Sequence, residues 1–339
     1  MNEHPLSYRA LIDRSGDKSR ATTPRSGSSP GGYFPEGTRI AEGAQVTDGV
    51  IDLHLLICMA ADWDIRIRIE RKEATVNIIV CLKQVPDTET QIKIAADGKN
   101  IVKDDIKWVM NPYDEYGVEE GLRIKEKLGG EVLVIGMGPK RVAESIRIAL
   151  AMGADKGILI SDPAAEGSDA LGTAKALAAV IKNLKYDIIF TGQRGVDDDM
   201  GLVGASLAEL LGIPHHSVVV KLEVSADAKS VKAHRPVEGQ TLVVESPLPA
   251  LITAQKGLNE PRYASLPGIM KAKKKPLEEK TLSAIGLNAA EFGEGARKLK
   301  VIALTPPPQR KPGKIIEGET PEAKAAELAR LLHEEAKVI

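Results

Sequence analysis

The sequence predicts an α/β fold: a doubly wound, mostly parallel sheet followed by an extended C-terminal arm and a helix. Three observations carry this. Four short β-branched apolar runs recur between residues 77 and 192, amphipathic stretches of helical spacing separate them, and the runs are continuous where a half-exposed strand would alternate.

The runs are "NIIVCLK" (77–83), "EVLVIGMG" (131–138), "KGILIS" (156–161) and "DIIFTG" (187–192). Between them, "DEYGVEEGLRIKEKLGG", "RVAESIRIALAMGA" and "SDALGTAKALAAVIKNL" place apolar residues three and four apart, and the first two close on glycine, a C-terminal cap signal. That order predicts right-handed βαβ units with helices on both faces. A further helix is expected near 200–211. "HSVVVKLEV", "KSVKAHRPV" and "TLVVESP" alternate as antiparallel strands do, and "ALITA" (250–254) returns to a buried run. Residues 256–276 match neither the helical nor the strand pattern, yet they hold Leu266, Ile269 and Met270 ahead of four lysines in five positions. Last come "LTPPPQRKPG", an extended linker, and "TPEAKAAELARLLHEEA", a capped amphipathic helix that cannot bury its apolar face alone.

With 339 residues and 43% hydrophobic content the chain can bury a sizeable core. Its 46 basic residues balance 47 acidic ones, so there is no overall field to draw in nucleic acid or an anionic membrane. Cys58 and Cys81 offer neither a disulfide framework nor a metal-binding spacing, and no apolar run reaches the roughly 18 residues of a membrane span. A cytoplasmic location is expected. Residues 1–75 differ from the rest, with eight arginines and two lysines against nine and twenty-seven in 76–339. They are expected to be a disordered tail or untranslated sequence, since "RKEATV" can be encoded by a ribosome-binding sequence ahead of a GTG start near Val76. The expected organisation is therefore 1–75, an α/β domain over 76–255, a separate segment over 256–276, and the arm over 277–339.

In such sheets ligands bind beyond the carboxyl ends of the strands. Three loops lie there: "KQVPDTE", "GMGPKR" and "GQRGVDDDMG". The last carries Gly192, Gly195 and Gly201, which permit tight turns, and leads into a helix whose free N–H groups suit a phosphate. Asp197, Asp198 and Asp199 are expected to cap that helix and hold ribose hydroxyls; the plain alternative is that they only cap and turn. There is no P-loop, and His215, His216 and His234 have no nucleophile nearby. No catalytic residue and no metal ligand is assigned.

Taken together, "NIIVCLKQVPDT", "NPYDEYGVEEGLRIKEK", "ALAMGADKGI", "GQRGVDDDMG", "HRPVEGQTLVVESPLPALITA" and, most specifically, "LNEPRYASLPGIMKAKKKP" resemble the β subunit of electron transfer flavoprotein from Val76 onward. The resemblance implies an adenine nucleotide-binding, Rossmann-like fold with a structural AMP, in a heterodimer with an α subunit that binds most of a shared FAD. It implies electron flow from flavin dehydrogenases, such as the acyl-CoA dehydrogenases of fatty acid oxidation, to a membrane quinone oxidoreductase. By position, the AMP pocket uses Cys81, Asn111, Pro112, Tyr113, Asp114 and Met137. It adds Gly192, Gln193, Arg194, Gly195, Val196, Asp197, Asp198, Asp199, Met200, Gly201, Leu202 and Val203, and Tyr113 also lies near the flavin. The segment after residue 256 is similar to the family's recognition loop, with Leu266 plugging an apolar pocket on the dehydrogenase. Pro261, Arg262, Tyr263, Ile269, Met270, Lys271 and Lys273 surround it. Lys271 and Lys273 to Lys275 are expected to steer an acidic partner or hold the α subunit, and the C-terminal arm to wrap that subunit.

Thr88 replaces an aromatic of mitochondrial-type members, and Pro236 replaces an acidic residue common among them. "KQVPDT" is closer to the electron-bifurcating branch, in which a second FAD replaces AMP and NADH is oxidised, whereas "DDDMGL" departs from that branch's nucleotide loop. The ordinary shuttle is the first expectation and bifurcation the second. A stress-protein-type nucleotide-binding module, lacking docking loop and arm, is a third.

Overall fold

A computed structural model describes residues 75–307 and 312–339, together with the backbone of two earlier strands, β1 (Arg9–Asp13) and β2 (Arg66–Glu70), which pair antiparallel. Residues 1–75 are expected to be disordered or untranslated; apart from these two strands and Thr75, that span lies outside the described residues.

The main body begins with β3 (Val76–Leu82), whose side chains are buried on both faces. Ile78, Val80 and Leu82 pack on one side and Ile79 and Cys81 on the other, so an unbroken apolar run is what this strand requires. Two short strands follow, β4 (Gln84–Pro86) and β5 (Trp108–Met110), paired antiparallel. Helix α1 (Pro112–Leu128) starts on proline, carries Asp114 and Glu115 in its first turn and Lys125 and Lys127 in its last, and ends at Gly129. Then come β6 (Gly130–Met137), α2 (Val142–Met152), β7 (Lys156–Ile160), α3 (Ala170–Ile181), β8 (Ile188–Gly192), α4 (Val203–Leu211) and β9 (His215–Val219). Helices α1 and α2 cover one face of the sheet, α3 and α4 the other.

A three-stranded antiparallel sheet, β10 (Lys221–Val224), β11 (Ser230–Val237) and β12 (Gln240–Pro247), stands apart. The chain then returns as β13 (Ala250–Ala254) and, after helix α5 (Leu266–Ala272), as β14 (Leu277–Lys280). The main sheet has the order β14-β7-β6-β3-β8-β13-β9, and every neighbouring pair in it is parallel. Strand order runs outward from β3 to β7, then jumps back to β8 on the other side of β3. Such a reversal is where open α/β sheets place their ligand crevice, outside the carboxyl ends of the two strands that flank it, here β3 and β8.

Three expectations are corrected. "HSVVVKLEV" is two strands: Val218 adopts φ of 58°, costly for a β-branched residue, and gives its N–H to Thr253 Oγ1 at 2.9 Å. The first half thereby joins the parallel sheet as β9, and only the second half is antiparallel. The last helix before it starts at Val203, not near residue 200. Within 256–276 there is a two-turn helix, α5, whose N-cap Ser265 accepts from the Gly268 N–H. The expected terminal helix is α6 (Pro321–Leu331), with the Thr320 hydroxyl accepting from the Ala323 N–H.

Candidate functional site

The β3–β8 crevice is built on α1. Asn111, immediately before the helix, is buried; its Nδ2 donates to the Arg194 carbonyl (2.9 Å) and its Oδ1 accepts from the Val196 N–H (3.2 Å). One turn on, the buried Asp114 carboxylate accepts from the Lys83 N–H (2.6 Å) at the end of β3 and from the Gly192 N–H (2.7 Å) at the end of β8. These two side chains thus stitch the ends of both strands to one helix. Burial pushes the Asp114 pKa up to about 7, opposed by those backbone N–H bonds. Only glycine fits at position 192, because a Cβ there would stand 2.3 Å from Asp114 Oδ1.

Pro112 opens α1, and Tyr113 meets Arg194: Nη2 donates to the phenol oxygen at 3.2 Å, with the guanidinium 5.5 Å from the ring centre. Cys81 is buried beside this floor, and burial raises its thiol pKa further above the ordinary value. Met137 ends β6, half-buried. Gln193 continues β8 with its Oε1 buried and without a hydrogen-bond partner among the described residues. Gly195 and Gly201 shape the loop, and Val196, Met200 and Leu202 expose apolar surface along it. Val203 begins α4, which carries no side-chain cap.

The three aspartates do not cap α4. Asp197 and Asp198 each receive Lys83 Nζ at 2.8 Å, and Asp199 pairs with Arg194 at 2.8 Å. Burial works against the Lys83 charge, but the two carboxylates outweigh it and hold its pKa above the ordinary value. Lys83 is the residue sequence reasoning missed. Its partners lie over a hundred positions away, and the only signal was an acidic triplet that needs a cation.

The second feature is the segment around α5. Its base is fastened to α1: Arg262 donates through Nε to Glu119 Oε2 at 2.7 Å and also pairs with Glu126, while Asn259 Nδ2 bonds Glu120 (2.9 Å) and the Tyr116 carbonyl (3.0 Å). Pro261 lies between these two anchors. Helix α5 lies close on α2, where a Cβ at Gly268 would meet the Ala151 carbonyl oxygen at 2.4 Å. Arg147 Nη1 donates to the carbonyls of Ala272 (2.6 Å) and Lys275 (2.8 Å). From this fixed base the apolar side chains project outward, Tyr263 97%, Leu266 80% and Met270 72% exposed, with Ile269 also exposed. Lys271, Lys273 and Lys274 point into solvent. Lys275 does not join them: its Nζ donates to the Leu150 and Ala154 carbonyls (2.9 and 2.6 Å) and closes the end of α2.

Comparison with known proteins decides between families that share such a core. The electron transfer flavoprotein domain family matches residues 99–285. The electron transfer flavoprotein subunit beta of Bacillus subtilis is 42% identical over 264 residues, 78% of this chain and 100% of that protein. The chain belongs to the electron transfer flavoprotein β-subunit family. The β subunits of Thermoanaerobacterium thermosaccharolyticum (39% over 248 residues, 73% of this chain and 94% of that protein) and Mus musculus (37% over 263 residues, 76% and 100%) are similar to it as well. Among the described residues no helix is long and apolar enough to cross a membrane.

Proposed function

We propose that this chain pairs with a flavin-binding α subunit, holds a structural AMP in the β3–β8 crevice, and docks flavin dehydrogenases through the Leu266 segment so that electrons pass to a membrane quinone oxidoreductase. The observation that carries this reading is the apolar peg: Leu266 is 80% exposed on a helix whose base is fixed by Arg262 and Asn259. Burying one leucine contributes about 1.5–3 kcal/mol, enough to seat a transient partner and let it leave. Because the backbone is already ordered, little entropy is lost on docking.

The crevice suits an adenine mononucleotide. Gln193 Oε1 is a buried acceptor that matches the exocyclic amine of adenine, and the uncapped start of α4 offers N–H groups to a phosphate. Asn111 and Asp114 hold the loop that would close around it. The FAD shared with the α subunit supplies the redox chemistry; this chain's residues bind, orient and exclude water.

The test is coexpression with an α subunit, release of bound nucleotide by denaturation, and its identification by mass spectrometry. One AMP and one flavin per heterodimer are expected, with Leu266→Ala slowing reduction by a dehydrogenase while flavin content stays unchanged. Two flavins and no AMP would replace this reading with bifurcation, and unchanged coupling in Leu266→Ala would remove the docking role.

A further inference from the structure

An anion-binding crevice bordered by three consecutive aspartates poses a charge problem. Against Asp197, Asp198 and Asp199 stand two nearby cations, Lys83 and Arg194. Arg194 is engaged with Asp199 at 2.8 Å, so Asp197 and Asp198 depend on Lys83, whose Nζ lies 2.8 Å from an oxygen of each. The backbone of Lys83 is equally fixed. Its N–H donates to Asp114 Oδ2 at 2.6 Å, and its carbonyl accepts from the Asn111 N–H at 2.9 Å. The residue thus belongs to the floor of the crevice, while its ammonium spans to the loop that rims it. The ammonium also lies 3.0 Å from where a Gly195 Cβ would stand, so it closes on the glycine turn itself.

We propose that Lys83 is a specificity-determining residue of the nucleotide site: by offsetting half the charge of Asp197 and Asp198 it lets the crevice prefer a nucleoside monophosphate over the uncharged nucleoside. This rests on the adenine-nucleotide reading given above. Without the ammonium, the charges of Asp197 and Asp198 at the rim stand unopposed, and repulsion penalises the charged ligand alone. A residue that merely latched the loop would weaken both ligands equally.

Equilibrium dialysis of the full chain against labelled AMP and adenosine separates the two roles. In Lys83→Gln the ratio of AMP to adenosine affinity is expected to fall about tenfold, with adenosine little changed, and the loss should shrink as salt rises. Lys83→Arg, which keeps the charge, is expected to restore the ratio, and Lys83→Gln combined with Asp197→Asn and Asp198→Asn, which leaves no net charge on the three positions, is expected to bring it at least as high as in the unsubstituted chain. An unchanged ratio in Lys83→Gln, whether both affinities fall together or neither moves, overturns the assignment while leaving AMP binding by the unsubstituted chain intact. If the unsubstituted chain binds neither ligand, the functional reading fails and the assignment with it.

Discussion

Asp114 concentrates the physics of the site in one side chain. Its two oxygens join the ends of β3 and β8, and its burial pushes its pKa up to about 7. The folded value lies above the unfolded one, so between roughly pH 4 and pH 7 the folded state binds more protons than the unfolded state. The contribution of this group is therefore most favourable at the acid end, declines as pH rises through that window, and is level above it. Urea denaturation at pH 5, 6, 7 and 8 reads this, with Asp114→Asn expected to reduce the decline and the remainder coming from Glu115 and Glu120, whose pKa values burial also raises. The same substitution aims an amide Nδ2 at one of two backbone N–H groups, a donor facing a donor, and is expected to cost about 1–3 kcal/mol at pH 7. A decline that is undiminished in the variant would assign the pH dependence to other groups. Asn111 and Asp114 were legible only through the family motif, because nothing in the spacing of "NPYD" says that it will meet residues 83 and 192–196. Lys83 was illegible for the same reason, its partners being fixed by strand order alone.

At the scale of elements, legibility followed the length and regularity of the pattern. The parallel strands β3, β6, β7, β8 and β13 and helices α1 to α3 were readable because each carries an unbroken apolar run or a sustained helical period, while α5 spans seven residues that include Pro267 and Gly268. Its helix is set by the Ser265 cap and by packing on α2, both tertiary outcomes of a stretch too short to show a period. Strand β14, "LEEK", carries no apolar run and pairs at the sheet edge through its backbone. The anchoring of α5 has a testable consequence. Glu119 is buried and paired with both Arg262 and Arg123, and burial, which favours the neutral acid, is outweighed by those cations so that its pKa lies below the ordinary value. In Arg262→Gln the buried carboxylate keeps Arg123 and the backbone N–H of residue 262 but loses the guanidinium, and a loss of about 1–3 kcal/mol is expected by chemical denaturation. Dehydrogenase coupling is also expected to fall although Leu266 is untouched, because the peg would lose its fixed base. Leu266→Ala should do the reverse, lowering coupling while changing stability by less than about 0.5 kcal/mol, as an exposed side chain does. If Arg262→Gln destabilises the protein without altering coupling, pre-organisation of the peg is not what docking uses.

The whole molecule divides into a body that satisfies itself and a tail that does not. The alternation of strands and helices announced the body, although the sequence could not say that β13 inserts between β8 and β9 or that β14 crosses to the far edge. The arm stays tied to the body as far as Leu304: Phe292 is buried against the α3 and α4 face, the Lys298 N–H donates to Asp169 Oδ2 at 2.6 Å, and the Leu304 N–H donates to the Gly98 carbonyl at 2.8 Å. For residues 312–339, every hydrogen bond and ion pair among the described residues stays within the segment, and Ile315, Leu328, Val338 and Ile339 are exposed. This capped amphipathic helix covers Leu331 but leaves Leu328 exposed, and a helix of eleven residues is marginal alone, so a partner on its open apolar side would stabilise it. Deleting residues 312–339 is therefore expected to leave the denaturation midpoint of the isolated chain nearly unchanged, while abolishing its co-purification with an α subunit. The two readouts are independent. A large fall in the isolated chain's stability would mean that the tail belongs to the body, and retained co-purification would mean that the arm is not what holds the heterodimer together.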